Sequence, residues 1–439
     1  MKNDIKYIKD IIPGEVEDNT IFNIHTNGTT SYTHGFHKYP AKFIPLIPKW
    51  AIKKFISQGG GTILDPFCGS GTTLVESIIS KNNSVGIDID PLSCLISKVK
   101  TTPLKLNRLE DITSWLSESI SKSTRNEFYP ETSNIEHWFS NEAIIKLSNI
   151  RSHIDEITNV FGKSKTVIDI RDFLLICFSS IIRRVSNADN ESQKTYVSHT
   201  KPKNPEEVYS LFFKQLNYFK ERIVEFSSIV SKNYNSIIIN ENSTKDLKEY
   251  SFERKIDLVI TSPPYIKAID YIYNQMAELF WIGDIFELQT QTLQNSKKKL
   301  YIGSKHFHKK DYIDFNPSKT HLSIPHLDDK LITVFKTDKK NGHKHSFLTY
   351  KYFLDMENHF TNIASILERG TKYIMVVGDS SVSDVFFKTS NYLVDLGKRN
   401  GFSLINRWGY QIKNRYMRFD RKGRGGIIDI DWVLVFEKD

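Results

Sequence analysis

A doubly wound α/β fold with a mostly parallel sheet is predicted by two observations. The first is a strand, a glycine-rich turn, a helix and a second strand in immediate succession over Thr62–Ile89. The second is a set of later short β-branched runs, several followed by polar turn residues, spaced too widely for hairpins. Two long stretches interrupt the pattern, one helical in its periodicity and one rich in lysine, and they read as insertions.

Composition agrees with a packed protein of this kind. The chain has 439 residues, 39% hydrophobic and 25% charged, with 28 Phe, 20 Tyr and 6 Trp, so it can bury a large core without covalent staples. Three cysteines, Cys68, Cys94 and Cys177, are too few for a disulfide framework or a four-thiolate zinc site. The polar start, Met1–Asp10, lacks the apolar core of a signal peptide. No apolar run approaches the roughly 18 residues of a membrane helix, and a cytoplasmic protein is expected. A net charge of +9 makes nucleic acid a reasonable partner class.

Taken in order, residues 1–43 are mixed and turn-rich. Ile44, Ile47, Ala51 and Phe55 fall at helical spacing, which predicts a helix over Ile44–Ile56. Gly59-Gly60-Gly61 ends it before a strand over Thr62–Leu64. Asp65–Thr73 is the glycine turn, Thr73–Ser80 the next helix and Ser84–Ile89 the second strand. From 107 to 232 the spacing is helical. Buried parallel strands are expected at Ser236–Asn240 and Ile256–Thr261, and three more strands of that kind at Tyr373–Val377, Ser403–Ile405 and Trp432–Phe436. The organisation that follows is 1–106 for the opening of the sheet, 107–232 for a helical insertion and 233–289 for the sheet's middle. A basic insertion over 290–346 and a C-terminal part over 347–439 complete it.

The glycine turn reads Asp65-Pro66-Phe67-Cys68-Gly69-Ser70-Gly71-Thr72-Thr73. Gly69 and Gly71 let the backbone bend tightly and approach a ligand with no Cβ in the way. The helix behind them offers free N–H groups to a polar ligand. About 20 residues on, Asp88 sits at the end of the second strand, where a carboxylate accepts ribose hydroxyls. The third glycine of the dinucleotide fingerprint is missing, and no Gly-Lys-Ser/Thr follows, which excludes a triphosphate-binding loop. Cys68 reads as a small packing residue.

A second constellation is Asp257-Leu258-Val259-Ile260-Thr261-Ser262-Pro263-Pro264-Tyr265. A buried strand running into two prolines makes a stiff exit at the edge where open α/β sheets bind ligands. Ser262 and the Pro263 carbonyl can accept the two protons of a conjugated amino group. Tyr265 offers a ring on which a base can stack once it leaves the duplex.

The glycine turn with Asp88 resembles the first motifs of S-adenosylmethionine-dependent methyltransferases. With Ser262-Pro263-Pro264-Tyr265 added, the chain looks like the DNA amino-methyltransferases, whose Asp/Asn/Ser-Pro-Pro-aromatic motif is catalytic. The resemblance extends to His37-Lys38-Tyr39-Pro40-Ala41-Lys42-Phe43 and to the C-terminal strands. It implies a Rossmann-like class I methyltransferase fold, S-adenosylmethionine as cofactor, and catalysis by Ser262, Pro263, Pro264 and Tyr265. It further implies a cofactor site drawn from Tyr39, Lys42, Asp65, Pro66, Phe67, Gly69, Gly71, Thr72 and Asp88. For the adenine, Asn242 in Ile239-Asn240-Glu241-Asn242-Ser243 stands in for the acidic residue that the family commonly has. Serine in first place is commonest among cytosine-N4 enzymes, whereas adenine-N6 enzymes usually carry Asp or Asn. The implied partner is double-stranded DNA, without metal or membrane, with a restriction endonuclease of the same site as a possible companion.

Other chemistries fit less well. A cytosine 5-carbon enzyme commonly presents a Pro-Cys nucleophile, and no Pro-Cys occurs. An RNA guanine-N2 enzyme often has a large N-terminal RNA-binding domain, for which little room precedes Asp65. A nucleic-acid-binding protein with a dead site conflicts with two intact motifs. For target reading, residues 297–345 hold twelve Lys and six His against five Asp and no Glu. Their lysines suit phosphates, and Tyr301, Phe307, Tyr312 and Phe315 suit wedging or reading of bases. The run Arg183–Asp189 and the basic strip Lys413–Arg418 with Arg421–Gly426 are the other candidates.

Overall fold

The computed structural model describes residues 5–26, 29–40, 43–56, 58–132, 134–190, 195–250, 254–266, 270–412 and 429–439. A nine-stranded sheet forms its centre, built from β1 (Ile5–Lys9), β2 (Ile21–His25), β3 (Thr62–Asp65), β4 (Asn83–Asp88), β5 (Ser236–Asn240), β6 (Leu258–Thr261) and β7 (Lys372–Gly378), with β10 (Phe402–Gln411) and β11 (Ile430–Lys438). The strands β8 (Ser380–Val382) and β9 (Val385–Phe387) form a separate hairpin. The sheet order is β1-β2-β10-β11-β7-β6-β3-β4-β5. β11 is antiparallel to both its neighbours, and the remaining pairings are parallel. This is a Rossmann-like sheet with one reversed strand.

The chain runs outward from β3 through β4 to β5 on one side, and from β6 to β7 on the other. The order therefore reverses between β3 and β6, which opens a crevice at the carboxyl ends of those strands. Asp65, Asp88, Asn240 and Thr261 are the last residues of β3, β4, β5 and β6, and the site is built there.

Strand residues alternate between the two faces, as the pleat requires. Leu64, Val259, Met375 and Leu434 join the core under the helices Gly342–Ile366 and Thr389–Arg399. Ile63, Ile260, Ile374 and Val433 join the opposite core, with Trp50 of the helix Leu46–Phe55. Residues 106–229 make a helical block with its own core, in which Phe173, Phe178 and Phe219 are buried. The helix Met276–Ile282, which follows the Ser-Pro-Pro-Tyr turn, is part of that core through Trp281. Arg151 clamps it there, with both guanidinium arms on the Asp284 carboxylate at 2.9 and 2.7 Å.

Four expectations need correction. The start of the chain is not all turn, because it supplies β1 and β2. β1 is mostly exposed at the sheet edge and carries Lys6 and Lys9, so no apolar run announced it. β5 is only half-buried, as suits the opposite edge. Trp432–Phe436 lies in the antiparallel β11, and Ser403–Ile405, exposed at both ends, meets only that strand, so neither is a buried parallel strand. Among the described residues, no helix is long and apolar enough to cross a membrane.

Candidate active site

The glycine turn is a closed network of short-range bonds. Cys68 N–H donates to Ile87 O at 3.0 Å and Gly71 N–H to Cys68 O at 2.7 Å. Gly69 N–H donates to Asp88 Oδ2 at 2.8 Å, and Ser97 Oγ donates to Gly69 O at 2.7 Å. Gly69 and Gly71 have φ of 48° and 75°, a left-handed backbone that disfavours side chains. A Cβ on Gly71 would lie 2.8 Å from Ser97 Oγ, and one on Gly69 would lie 3.0 Å from the Tyr39 ring. The first glycine thus opens room beside Tyr39, and the second lets the helix Pro91–Thr101 pack close.

Three carboxyls collect at this edge. Asp65 is buried and accepts from Thr261 Oγ1 at 2.6 Å and from Phe67 N–H at 3.2 Å, so it ties the end of β3 to the end of β6. Burial pushes its carboxyl up to about 6. Burial, together with the charge of Asp90, pushes Asp88 up to about 7 against the pull of the Gly69 and Asp90 N–H groups. Asp90 caps the helix Pro91–Thr101 and accepts from Ser93 Oγ at 2.8 Å. The Ser93 and Tyr39 hydroxyls are 2.9 Å apart. Tyr39 therefore hangs from the same acidic corner.

The run His34–Tyr39 is held from behind by the helical block. Phe36 is fully buried and stacks on Phe219 at 4.1 Å, and His37 Nε2 lies 3.1 Å from Ser179 Oγ. Tyr39 stacks on Tyr271 with centroids 5.6 Å apart, and Tyr271 on Tyr301 at 6.5 Å. These three rings wall one cavity. Its other walls are the glycine turn, the end of β4, the segment after β5 and the Ser-Pro-Pro-Tyr turn.

Seven residues named for the cofactor line this cavity: Tyr39, Pro66, Phe67, Gly69, Thr72, Asp88 and Asn242. Asp65 and Gly71 do not line it and instead shape the turn beneath. Lys42 lies outside the described residues. Of the Ser-Pro-Pro-Tyr turn, Ser262 and Pro264 line the cavity, while Pro263 is buried. Tyr265 is not among the lining residues, and its hydroxyl donates to Asp431 Oδ1 at 2.8 Å. Asn242 accepts from Thr244 with its Oδ1 and donates to Leu300 O at 3.3 Å.

Sequence reasoning missed the wall supplied from far along the chain. Ile89 and Glu241 flank positions already named, but Tyr271, Tyr301 and Ile302 come from after the Ser-Pro-Pro-Tyr turn and from the basic insertion. The insertion is held against the site by Asp270, which pairs with His306 and lies 3.7 Å from Lys298 Nζ. No local pattern marks Tyr301 or Ile302 as cavity residues.

In the same insertion the aromatics pack on one another. Phe307, Tyr312 and Phe315 gather around Phe347 at 5.4, 5.8 and 5.5 Å. They make a half-buried aromatic cluster on a segment that has no sheet to pack on. Lys297, Lys299, Lys305, Lys309, Lys310, Lys339 and Lys340 are exposed. At the end of the helix Lys165–Val185, Arg183 donates to Asp189 O, and Arg184 spends its fork on Glu206 with two bonds of 2.7 Å. That run is a capping network. The basic strip 413–426 lies outside the described residues.

A ligand with polar groups at both ends fits this cavity. Ser70 Oγ beside the glycine turn and Ser243 Oγ beyond β5 are buried without a partner, and both residues line it. With Asp88 between them, the donor and acceptor set suits the amino-acid and nucleoside ends of S-adenosylmethionine. The thiols of Cys68, Cys94 and Cys177 are buried and pushed well up, which leaves them protonated at neutral pH.

Residues 3–99 match the N6/N4 methyltransferase family model, described as DNA methylase. Over 442 residues the chain is 26% identical to the type II methyltransferase M.MvaI of Kocuria varians, covering 94% of this chain and 91% of that protein. It is 26% identical over 400 residues to M.MjaII of Methanocaldococcus jannaschii, covering 72% of this chain and 74% of that one. With M.BsoBI of Geobacillus stearothermophilus it shares 26% identity over 308 residues, covering 64% and 59%. The chain is thus similar to N4/N6 DNA amino-methyltransferases, the family that the two turns resemble and whose reaction uses S-adenosylmethionine.

Proposed function

We propose that the chain methylates the N4 amino group of a cytosine flipped out of duplex DNA. One observation carries the reading: Ser262 and Pro264 of the catalytic turn line the same cavity as Gly69 and Asp88 of the glycine turn. S-adenosylmethionine supplies an electrophilic methyl group on a sulfonium. Asp88 holds the ribose hydroxyls, the glycine turn takes the methionine end, and the segment at Asn242 borders the adenine.

The work of the chain's own residues is placement. A cytosine amino group is conjugated with its ring, and its lone pair is a weak nucleophile. The Ser262 hydroxyl and the Pro263 carbonyl accept hydrogen bonds from its two N–H groups and favour a pyramidal nitrogen, which frees the lone pair. As the N–C bond forms, the sulfonium S–C bond breaks to leave S-adenosylhomocysteine, and the methylated nitrogen releases one proton to solvent. Tyr265 stacks on the extruded base and offsets part of its unstacking cost of a few kcal/mol. A dry, fixed site contributes the rest through proximity and desolvation. Ser262, where adenine enzymes usually carry Asp or Asn, supports cytosine. The relatives' type II names extend the proposal to a restriction-modification setting, with an endonuclease that cuts the same site.

The purified protein tests the substrate class. Incubated with methyl-labelled S-adenosylmethionine and unmethylated plasmid DNA, it should label the DNA. Label in bulk RNA, with none in DNA, would contradict the proposal.

A further inference from the structure

Asp431 is a buried carboxyl that the proposed reaction does not use. It is 8% exposed, near the start of β11, opposite Gly378 of β7 and Tyr410 of β10 in the strand registers. Because β7 ends at the carboxyl edge of the sheet, Asp431 sits at the same edge as the crevice. A buried carboxylate is costly unless it is hydrogen-bonded, and two tyrosine hydroxyls, of Tyr410 and Tyr265, bear on this one. Tyr265 Oη donates to Asp431 Oδ1 at 2.8 Å, across 166 residues of chain.

Tyr265 needs such a partner. Its two predecessors, Pro263 and Pro264, have no N–H with which to fix the turn to neighbouring backbone. A phenol ring that is free to turn must be ordered each time a base stacks on it, and that ordering opposes the stack. A hydrogen bond from a buried hydroxyl to a carboxylate is among the stronger single restraints available.

We propose that Asp431 is a positioning residue for methyl transfer: it anchors the Tyr265 hydroxyl and so fixes the ring on which the target base stacks. The inference rests on the stacking role given to Tyr265 above. It assigns a function to a residue of the last strand that contacts neither cofactor nor base.

A double-mutant cycle tests it, with single-turnover methylation of unmethylated plasmid DNA as the readout. Asp431→Ala and Tyr265→Phe should each slow the transfer about tenfold and leave the affinity for S-adenosylmethionine unchanged. The double variant should be no slower than the slower single one, because both changes remove one bond. Additive losses, or a wild-type rate in either single variant, would overturn the anchor. If Asp431→Ala does not fold, Asp431→Asn takes its place in the cycle under the same criterion of non-additivity, and Tyr265→Phe at wild-type rate still overturns the anchor. Tyr265→Ala separates the two ideas. A wild-type rate there defeats the stacking role itself, whereas a slow Tyr265→Ala beside wild-type Tyr265→Phe and Asp431→Ala defeats the anchor alone.

Discussion

The two turns that meet at the cavity are held by opposite means. The glycine turn is supported mostly from within Asp65–Lys100, by backbone bonds, by Asp88 and by Ser97, with Asp65 and Thr73 also bonded to the end of β6. The Ser-Pro-Pro-Tyr turn takes its side-chain anchors from elsewhere: Thr261 on Asp65, 196 residues away, and Tyr265 on Asp431, 166 residues away. A cofactor cradle can thus be encoded in one short stretch. A turn proposed to leave acceptor and aromatic groups accessible gives up local pairing and must borrow rigidity from the sheet around it.

The comparison is broken most sharply at Ser262. Ser262→Ala should lower single-turnover methylation by about a hundredfold while calorimetry finds cofactor binding intact; equal damage to both would merge the two turns into one function. Asp88→Ala should do the reverse, weakening cofactor affinity about thirtyfold, with the transfer rate at saturating cofactor reduced much less.

A pH series sharpens the cofactor side. Burial and Asp90 hold Asp88 at about 7 without ligand, and ribose hydroxyls donate to the ionised form. Ligand binding should therefore pull that pKa down, with full affinity above 7 and a progressive loss as pH falls through it. Between pH 8 and pH 6 the affinity should drop about tenfold, as read by titration calorimetry; a flat response in the wild type would remove Asp88 from the ribose. Smallest in its effect on chemistry is Gly71→Ala. With φ at 75° and Ser97 Oγ 2.8 Å from the new Cβ, it should cost about 1–2 kcal/mol of stability, seen as a lower melting temperature. An unchanged melting temperature would show that the turn does not need glycine there.

Legibility in the sequence follows the same division. The strand–turn–helix–strand unit was readable to within a residue or two, because the residues that stabilise it are neighbours: Gly69 and Gly71 for the bend, Asp88 for the N–H groups. The identity of the second turn was also plain in Ser262–Tyr265. Its supports were not, since nothing near Asp431 marks it as the partner of a tyrosine on β6's exit. Tyr301 and Ile302 were hidden for a like reason, being cavity residues inside a segment whose composition speaks only of lysine. β2 was missed because the short run Ile21–His25 has no strict alternation and joins the sheet between the exposed β1 and β10, the latter nearly four hundred positions later. The reversed direction of β11 has no signature in its composition at all.

The most direct test of the central claim is the modified nucleoside that the chain produces. Expressed in a bacterial host without DNA methylation, it should leave N4-methylcytosine in the host's digested DNA, and Ser262→Ala should abolish most of it. N6-methyladenine in its place, or DNA without either base while the protein is folded and binds S-adenosylmethionine, would contradict the account.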